Sequence, residues 1–174
     1  VFRSCLQDRL LPGLGEARLQ YQFSEGEEGK QDEWIDTVYT HWEDVLWSPC
    51  RTYPELRWKA YRSYLSKARF KKRFPDAKLD KVNFNSKGPL SKNKTNMENV
   101  PEEAEAEVWE IWDKLSLKVV WWTEGYGDIL EEQDDTLELE GFFPAPPPMV
   151  ANVTTSKYLP KADYDLAKDL YREI

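Results

Sequence analysis

Charge in this chain is divided into three blocks, and that division limits how the chain can fold more than any other feature. Residues 51–94 carry 14 Lys and Arg against 3 Asp and Glu. Residues 1–50 carry 4 against 10, and residues 95–174 carry 6 against 19. The net charge of −8 over 174 residues therefore hides a basic centre between two acidic flanks. Like charges repel when crowded, so the basic block is expected on a surface, facing the acidic flanks or an acidic neighbour.

Eight Trp, nine Tyr and seven Phe supply large side chains that either fill a core or anchor a protein–protein contact. The longest uncharged apolar run falls short of the ~20 residues that span a bilayer, so no transmembrane segment is expected. The two cysteines, Cys5 and Cys50, form no metal-binding pair. One disulfide or two thiols would fit them, and the low cysteine density favours thiols. A first residue of Val1 rather than Met is what a processed chain would show, by loss of an organelle transit peptide or a secretory signal.

Apolar spacing predicts helices. Trp34, Ile35, Val38, Tyr39, Trp42, Val45 and Leu46 recur at helical intervals between Asp32 and Trp47, and Ser48-Pro49 would end that helix. Thr52, Pro54 and Glu55 resemble a helix start, and the second helix would run to Arg73 with Trp58, Tyr61, Tyr64 and Leu65 on one side. A third, from Pro101 to Val120, would carry Ala104, Val108, Ile111, Trp112, Leu115 and Val119 as its stripe. Lys161 onward fits a short terminal helix. Gly and Pro at 12, 13 and 15, and the polar Ser24–Gly29 stretch, read as irregular. Asn83–Asn99 reads as a linker, and Leu137, Leu139 and Gly141 as a short edge strand or extended arm.

The expected fold is thus mainly α, with little or no β: a small core of three principal helices plus a short C-terminal helix, with long extended arms. Its organisation would be an N-terminal arm over 1–31, a helical core over 32–122 with the linker at 83–99, and an acidic, Pro-rich arm over 123–174. The core would gather Trp34, Trp42, Tyr61, Leu65, Trp112 and Leu115.

Chemistry is sparse. His41 is the lone histidine and has no Cys or His near it in sequence, so no zinc set and no catalytic pair forms around it. The run Glu131-Glu132-Gln133-Asp134-Asp135 lacks the alternation and glycine of a calcium loop and reads as a solvated charge run. Gly13-Leu14-Gly15 lacks the third glycine and the preceding strand of a dinucleotide loop. Asn93-Lys94-Thr95 and Asn152-Val153-Thr154 match the glycosylation pattern, which matters only in a secreted protein. Pro144 to Pro148 reads as a stiff spacer, anchored by Phe142 and Phe143. Neither cofactor nor metal is expected.

These features point to a non-catalytic accessory subunit of a large multiprotein assembly, in a mitochondrial respiratory or ATP-synthase-type complex. Plastid and secreted settings are the alternatives. Its partners would be other subunits, met through Arg57, Lys59, Arg62, Lys67, Arg69, Lys71, Lys72 and Arg73 and through Trp121, Trp122, Phe142 and Phe143. The basic helix would also suit anionic lipid headgroups, as on a peripheral membrane protein. One rival is an RNA- or ribosome-associated protein using residues 51–94, since basic residues among aromatics can grip phosphate and stack bases. The other is a secreted binding protein or an enzyme of unknown type.

Overall fold

The computed structural model describes residues 1–25, 31–84, 104–135 and 138–172. Among them are eight strands and three helices, so the protein is mainly β, in two antiparallel sheets. The expected mainly α fold is corrected. The chain divides into two compact units, one of residues Val1–Arg57 with Glu138–Ile174, the other of Trp58–Leu137.

In the first unit, helix α1 (Phe2–Leu10) precedes strand β1 (Leu14–Glu25), which pairs with β2 (Gln31–Thr40) in antiparallel register from Glu16↔Thr40 to Glu25↔Gln31. A short β3 (Val45–Trp47) follows. The expected helix over 32–47 is therefore a strand, a 3-10 turn at Trp42–Asp44 and a second strand. Its Trp, Ile, Val, Thr and Tyr are stiff or bulky at Cβ and suit a pleated surface better than a helix. Residues 1–31, expected to be an irregular arm, hold α1 and β1.

The C-terminal segment returns to this unit. Strand β8 (Met149–Val150) pairs with β1 at Leu14↔Val150 and Gly15↔Met149. Farther along β1, the Leu19 amide donates to the Pro144 carbonyl at 2.7 Å. Arg9 bonds Asp163 at 2.9 Å, tying α1 to helix α3 (Asp163–Arg172), which lies where the terminal helix is expected. Phe142 and Phe143 are buried, and an aromatic chain runs Phe142–Phe143–Tyr53–Tyr158–Trp47 with centroids 5.6 to 6.4 Å apart. Gly141 and Phe142 both have left-handed φ, +86° and +73°, and burial of the Phe142 ring offsets the backbone strain.

The second unit is an antiparallel meander of β4 (Trp58–Ser66), β5 (Glu105–Asp113), β6 (Lys118–Thr123) and β7 (Ile129–Asp134). The expected second helix becomes a 3-10 turn at Tyr53–Glu55, strand β4, and only then helix α2 (Lys67–Arg73). The expected third helix becomes β5 and the start of β6. Ala106, Val108 and Trp112 are buried in β5 at even spacing, which is strand rather than helix periodicity. One face of the sheet is covered by α2 and the chain after it. Phe70, Phe74, Val82, Ala106 and Val108 form that core, with Leu65, Phe84, Trp121, Tyr126 and Leu130 packed around them. Phe70 is fully buried, with its ring centroid 5.2 Å from that of Phe74 and 5.6 Å from that of Phe84.

Of the six expected core residues, Tyr61 and Trp112 are buried and Leu65 is half-buried, whereas Trp34, Trp42 and Leu115 are exposed. Residues 85–99 of the expected linker, residues 101–103 of the expected third helix, the Asn93 site and Leu137 lie outside the described residues.

Two backbone sites test this fold. A Cβ on Gly15 would sit 2.0 Å from the carbonyl oxygen of Cys5, so α1 and β1 approach as only glycine allows. Gly15→Ala is expected to destabilise the first unit by about 3 kcal/mol or more, because the obstacle is backbone and cannot swing aside; a denaturant midpoint close to that of the parent chain would refute the close approach. Leu117, exposed in the β5–β6 turn, has φ +56°. Leu117→Gly is expected to raise stability by about 0.5–1 kcal/mol by relieving the left-handed strain, read as a higher midpoint in the same titration.

Candidate interaction surfaces

The β1–β2 ribbon is built from two runs of alternating residues. One face carries Ala17, Leu19 and Tyr21 opposite Tyr39, Thr37 and Ile35, and the other carries Arg18, Gln20 and Gln22 opposite Val38, Asp36 and Trp34. Near its root the ribbon is covered: β8 lies on β1, and Tyr39 donates to Asp8 of α1 at 2.6 Å. Beyond Leu19, no third strand pairs with it among the described residues. There Tyr21 is 50% exposed, Trp34 44% and Ile35 66%, with Leu19 at 37%. Six residue pairs, from Gln20↔Asp36 to Glu25↔Gln31, form this two-stranded part. It is roughly 17 Å long at strand rise.

The ribbon is acidic. Beyond Leu19, residues 20–36 hold six Asp and Glu against one Lys. Trp34 Nε1 donates to Asp36 at 3.0 Å, and a hydrogen bond with Glu33, after desolvation, pushes the Tyr21 hydroxyl up from its ordinary pKa. Carboxylates and aromatic rings are thus held side by side on an exposed strand.

The second unit presents the opposite sign. Residues 67–81 hold seven Lys and Arg against two acids. On α2 only Phe70 is buried, while Lys67, Arg69, Lys71, Lys72 and Arg73 are exposed. At 100° per residue, Arg69, Lys71 and Lys72 flank the pole opposite Phe70. Arg73 is committed within the unit: its guanidinium lies 4.7 Å from the Phe74 ring and 4.8 Å from the Trp121 ring, and it bonds Glu131.

The sheet uses its acids locally. Lys118 donates to Glu132, which raises the lysine pKa. Trp109 and Trp112 donate to Glu107 and Glu110 at 2.8 and 2.7 Å. Arg62 lies 3.6 Å from Glu107 and 5.4 Å from the ring centroids of both Tyr64 and Trp109.

The sequence-selected residues therefore scatter. Lys67, Arg69, Lys71, Lys72 and Arg73 share α2. Arg62 is built into the sheet, and Lys59 is fully buried. Arg57 is exposed in the first unit, where its amide donates to Ser48 Oγ at 2.9 Å. Trp121 packs under Arg73, Trp122 is exposed on the opposite face of the same strand, and Phe142 and Phe143 are consumed inside the first unit. Sequence reasoning missed Leu19, Tyr21, Glu33, Trp34, Ile35 and Asp36 as one exposed ribbon. The available signal was two strand-forming runs flanking Ser24–Gly29.

A groove of about 710 Å³ in the first unit is lined by Trp47, Cys50, Arg51, Glu55, Lys157 and Tyr158 among others. Burial pushes the Cys50 thiol up, away from the reactive thiolate. The Glu55 carboxyl is held down by the amide of Arg51, which donates at 2.9 Å, and by Thr52. His41 accepts from the Glu43 amide at 3.2 Å and caps a 3-10 turn. Cys5 and Cys50 are free thiols. Among the described residues, no three or more His, Cys, Asp or Glu gather as a metal set, and no helix is long and apolar enough to cross a membrane. In comparisons with known proteins, no family model and no curated protein sequence matches this chain.

The Tyr39–Asp8 bond makes the first unit sensitive to alkali. Desolvation, then the bond to Asp8, raises the Tyr39 pKa well above 10.0, and burial does the same for Tyr53. A raised folded pKa stabilises the fold below the unfolded value and is lost as pH rises through the folded one. Thermal stability is expected to fall as pH climbs above about 10, and to fall less steeply in Tyr39→Phe. Parallel pH profiles for the two chains would contradict the coupling.

Proposed function

We propose that this chain is a non-catalytic structural subunit of a large protein assembly, held to its neighbours through the β1–β2 ribbon. The observation that carries the reading is the ribbon beyond Leu19, where Tyr21, Trp34 and Ile35 stand exposed on a two-stranded element. An isolated two-stranded ribbon is marginal in water, because each strand has one neighbour and little covered apolar area. Aromatic anchors on such an element lose solvent and gain packing when another surface covers them. Exposed Phe2, Leu6 and Leu10, spaced along one side of α1, support the same reading.

The rival reading, phosphate-backbone binding, draws on the exposed cations of α2. The net charge of −8 and the acidic ribbon work against it, since a polyanion is repelled by most of the chain.

The test shortens the ribbon by joining Leu19 to Thr37, paired neighbours in the register, through an Asn-Gly turn. The shortened chain is expected to fold, with far-UV dichroism and melting close to the parent, and to run free of the large complex that carries the full chain in extracts of its source. Undiminished co-migration of the shortened chain, or a full chain that runs alone, would overturn the proposal.

A further inference from the structure

We infer that the partner of the acidic ribbon is the basic helix α2 of a second copy of this chain, in a head-to-tail contact. This inference rests on the proposed structural role and names the neighbour. The two surfaces are opposite in sign: residues 20–36, the part of the ribbon beyond Leu19, carry six acids against one base, and residues 67–81 carry seven bases against two acids, with Arg73 taken by Glu131. They match in chemistry as well. Each face of the ribbon offers an exposed carboxylate beside an aromatic ring, Glu33 with Tyr21 on one and Asp36 with Trp34 on the other, a pairing that suits Arg and Lys head groups and their apolar stems. On α2, Arg69, Lys71 and Lys72 are exposed, while the sheet acids Glu131, Glu132, Glu107 and Glu110 are engaged with Arg73, Lys118, Arg62 and the tryptophan indoles.

The contact is heterologous, because ribbon and helix are different surfaces. Each copy that uses its ribbon leaves its α2 open for the next, so association propagates into a ring or a filament rather than stopping at a two-fold dimer. Opposite fields steer the encounter and fix its register, and salt weakens it.

The experiment is a charge swap read by sedimentation velocity on the purified full chain. Glu33→Lys with Asp36→Lys reverses the ribbon, and Lys71→Glu with Lys72→Glu reverses the helix. The parent chain is expected to associate at about 0.05 M salt and to dissociate about tenfold more readily at about 0.5 M. Each reversed chain alone is expected to stay monomeric, and the chain carrying all four substitutions is expected to associate again. Dichroism of each variant establishes that it folds.

A parent chain that is monomeric at every concentration overturns the inference. So does association that survives either reversal, or an oligonucleotide bound by the monomeric parent and lost on reversing α2. If the monomeric parent still needs its ribbon to co-migrate with other proteins, the self-contact fails and the structural-subunit reading stands. Co-migration without the ribbon sinks that reading instead.

Discussion

Backbone pairing between β1 and the returning segment 144–151 is the constraint on which the first unit depends. Leu14 and Gly15 pair with Val150 and Met149, the Leu19 amide meets the Pro144 carbonyl, and the Ala151 amide donates to the Gly13 carbonyl at 2.9 Å. These bonds close a loop containing the entire second unit, an entropic cost that grows only slowly with loop length. They also decide where prolines can sit. Pro144, Pro146, Pro147 and Pro148 lack amide donors, and a segment beside an outer edge of β1 needs only occasional bonds, so the run is tolerated there. The same bonds end the coverage of β1 at Leu19, and so determine where the exposed part of the ribbon begins.

The second unit solves a different problem, that of placing the twelve basic residues of 58–94, of which Lys59 is buried and the cations of α2 are not. Phe70 and Phe74, one helical turn apart, bind α2 to the sheet and, Ala68 apart, leave its remaining positions to cations. Arg73 is the exception, stacked on Trp121 and bonded to Glu131 across from the helix. Glu131 and Glu132 lie in the acidic run near 131–135. Their engagement with Arg73 and Lys118 identifies that part of the run as cross-strand and helix-to-sheet pairing. Exposed pairs of this kind add little stability each. Their structural effect is to occupy the nearest acids, leaving the field of Lys67, Arg69, Lys71 and Lys72 directed at solvent.

Some of this was legible in the sequence, and the reason the rest was not is physical. The charge blocks, the concentration of cations around residues 67–73 and the terminal helix are visible in residue order alone. Strand content was missed because β4, β5 and β6 bear large side chains on both faces, so their period of two is masked and chance helical spacing emerges. A finer signal was present. Trp34 with Asp36, Glu107 with Trp109, and Glu110 with Trp112 are acid–indole pairs two residues apart, and each is hydrogen-bonded in the structure. Residues two apart share a face only in a strand, and in a helix they point about 160° away from each other at 100° per residue. The β5–β6 turn was hidden for another reason: Leu117, not glycine, takes the left-handed position, with Asp113 bonding the Leu115 amide and the Ser116 hydroxyl.

The ribbon was legible least of all, because its apolar residues look like core residues. Trp34 and Ile35 have the composition of an interior and the exposure of a surface. An open strand edge carrying such residues invites indiscriminate pairing, and charges on the edge are the usual defence. Glu33 and Asp36 occupy β2 on either side of that pair, and Asp36 also receives the Trp34 indole proton. Carboxylates so placed penalise contact with most acidic or apolar surfaces through desolvation and repulsion. They do not penalise a basic one. The charges that guard the ribbon edge would therefore also select what covers it, and among the described residues α2 is a strongly basic exposed element.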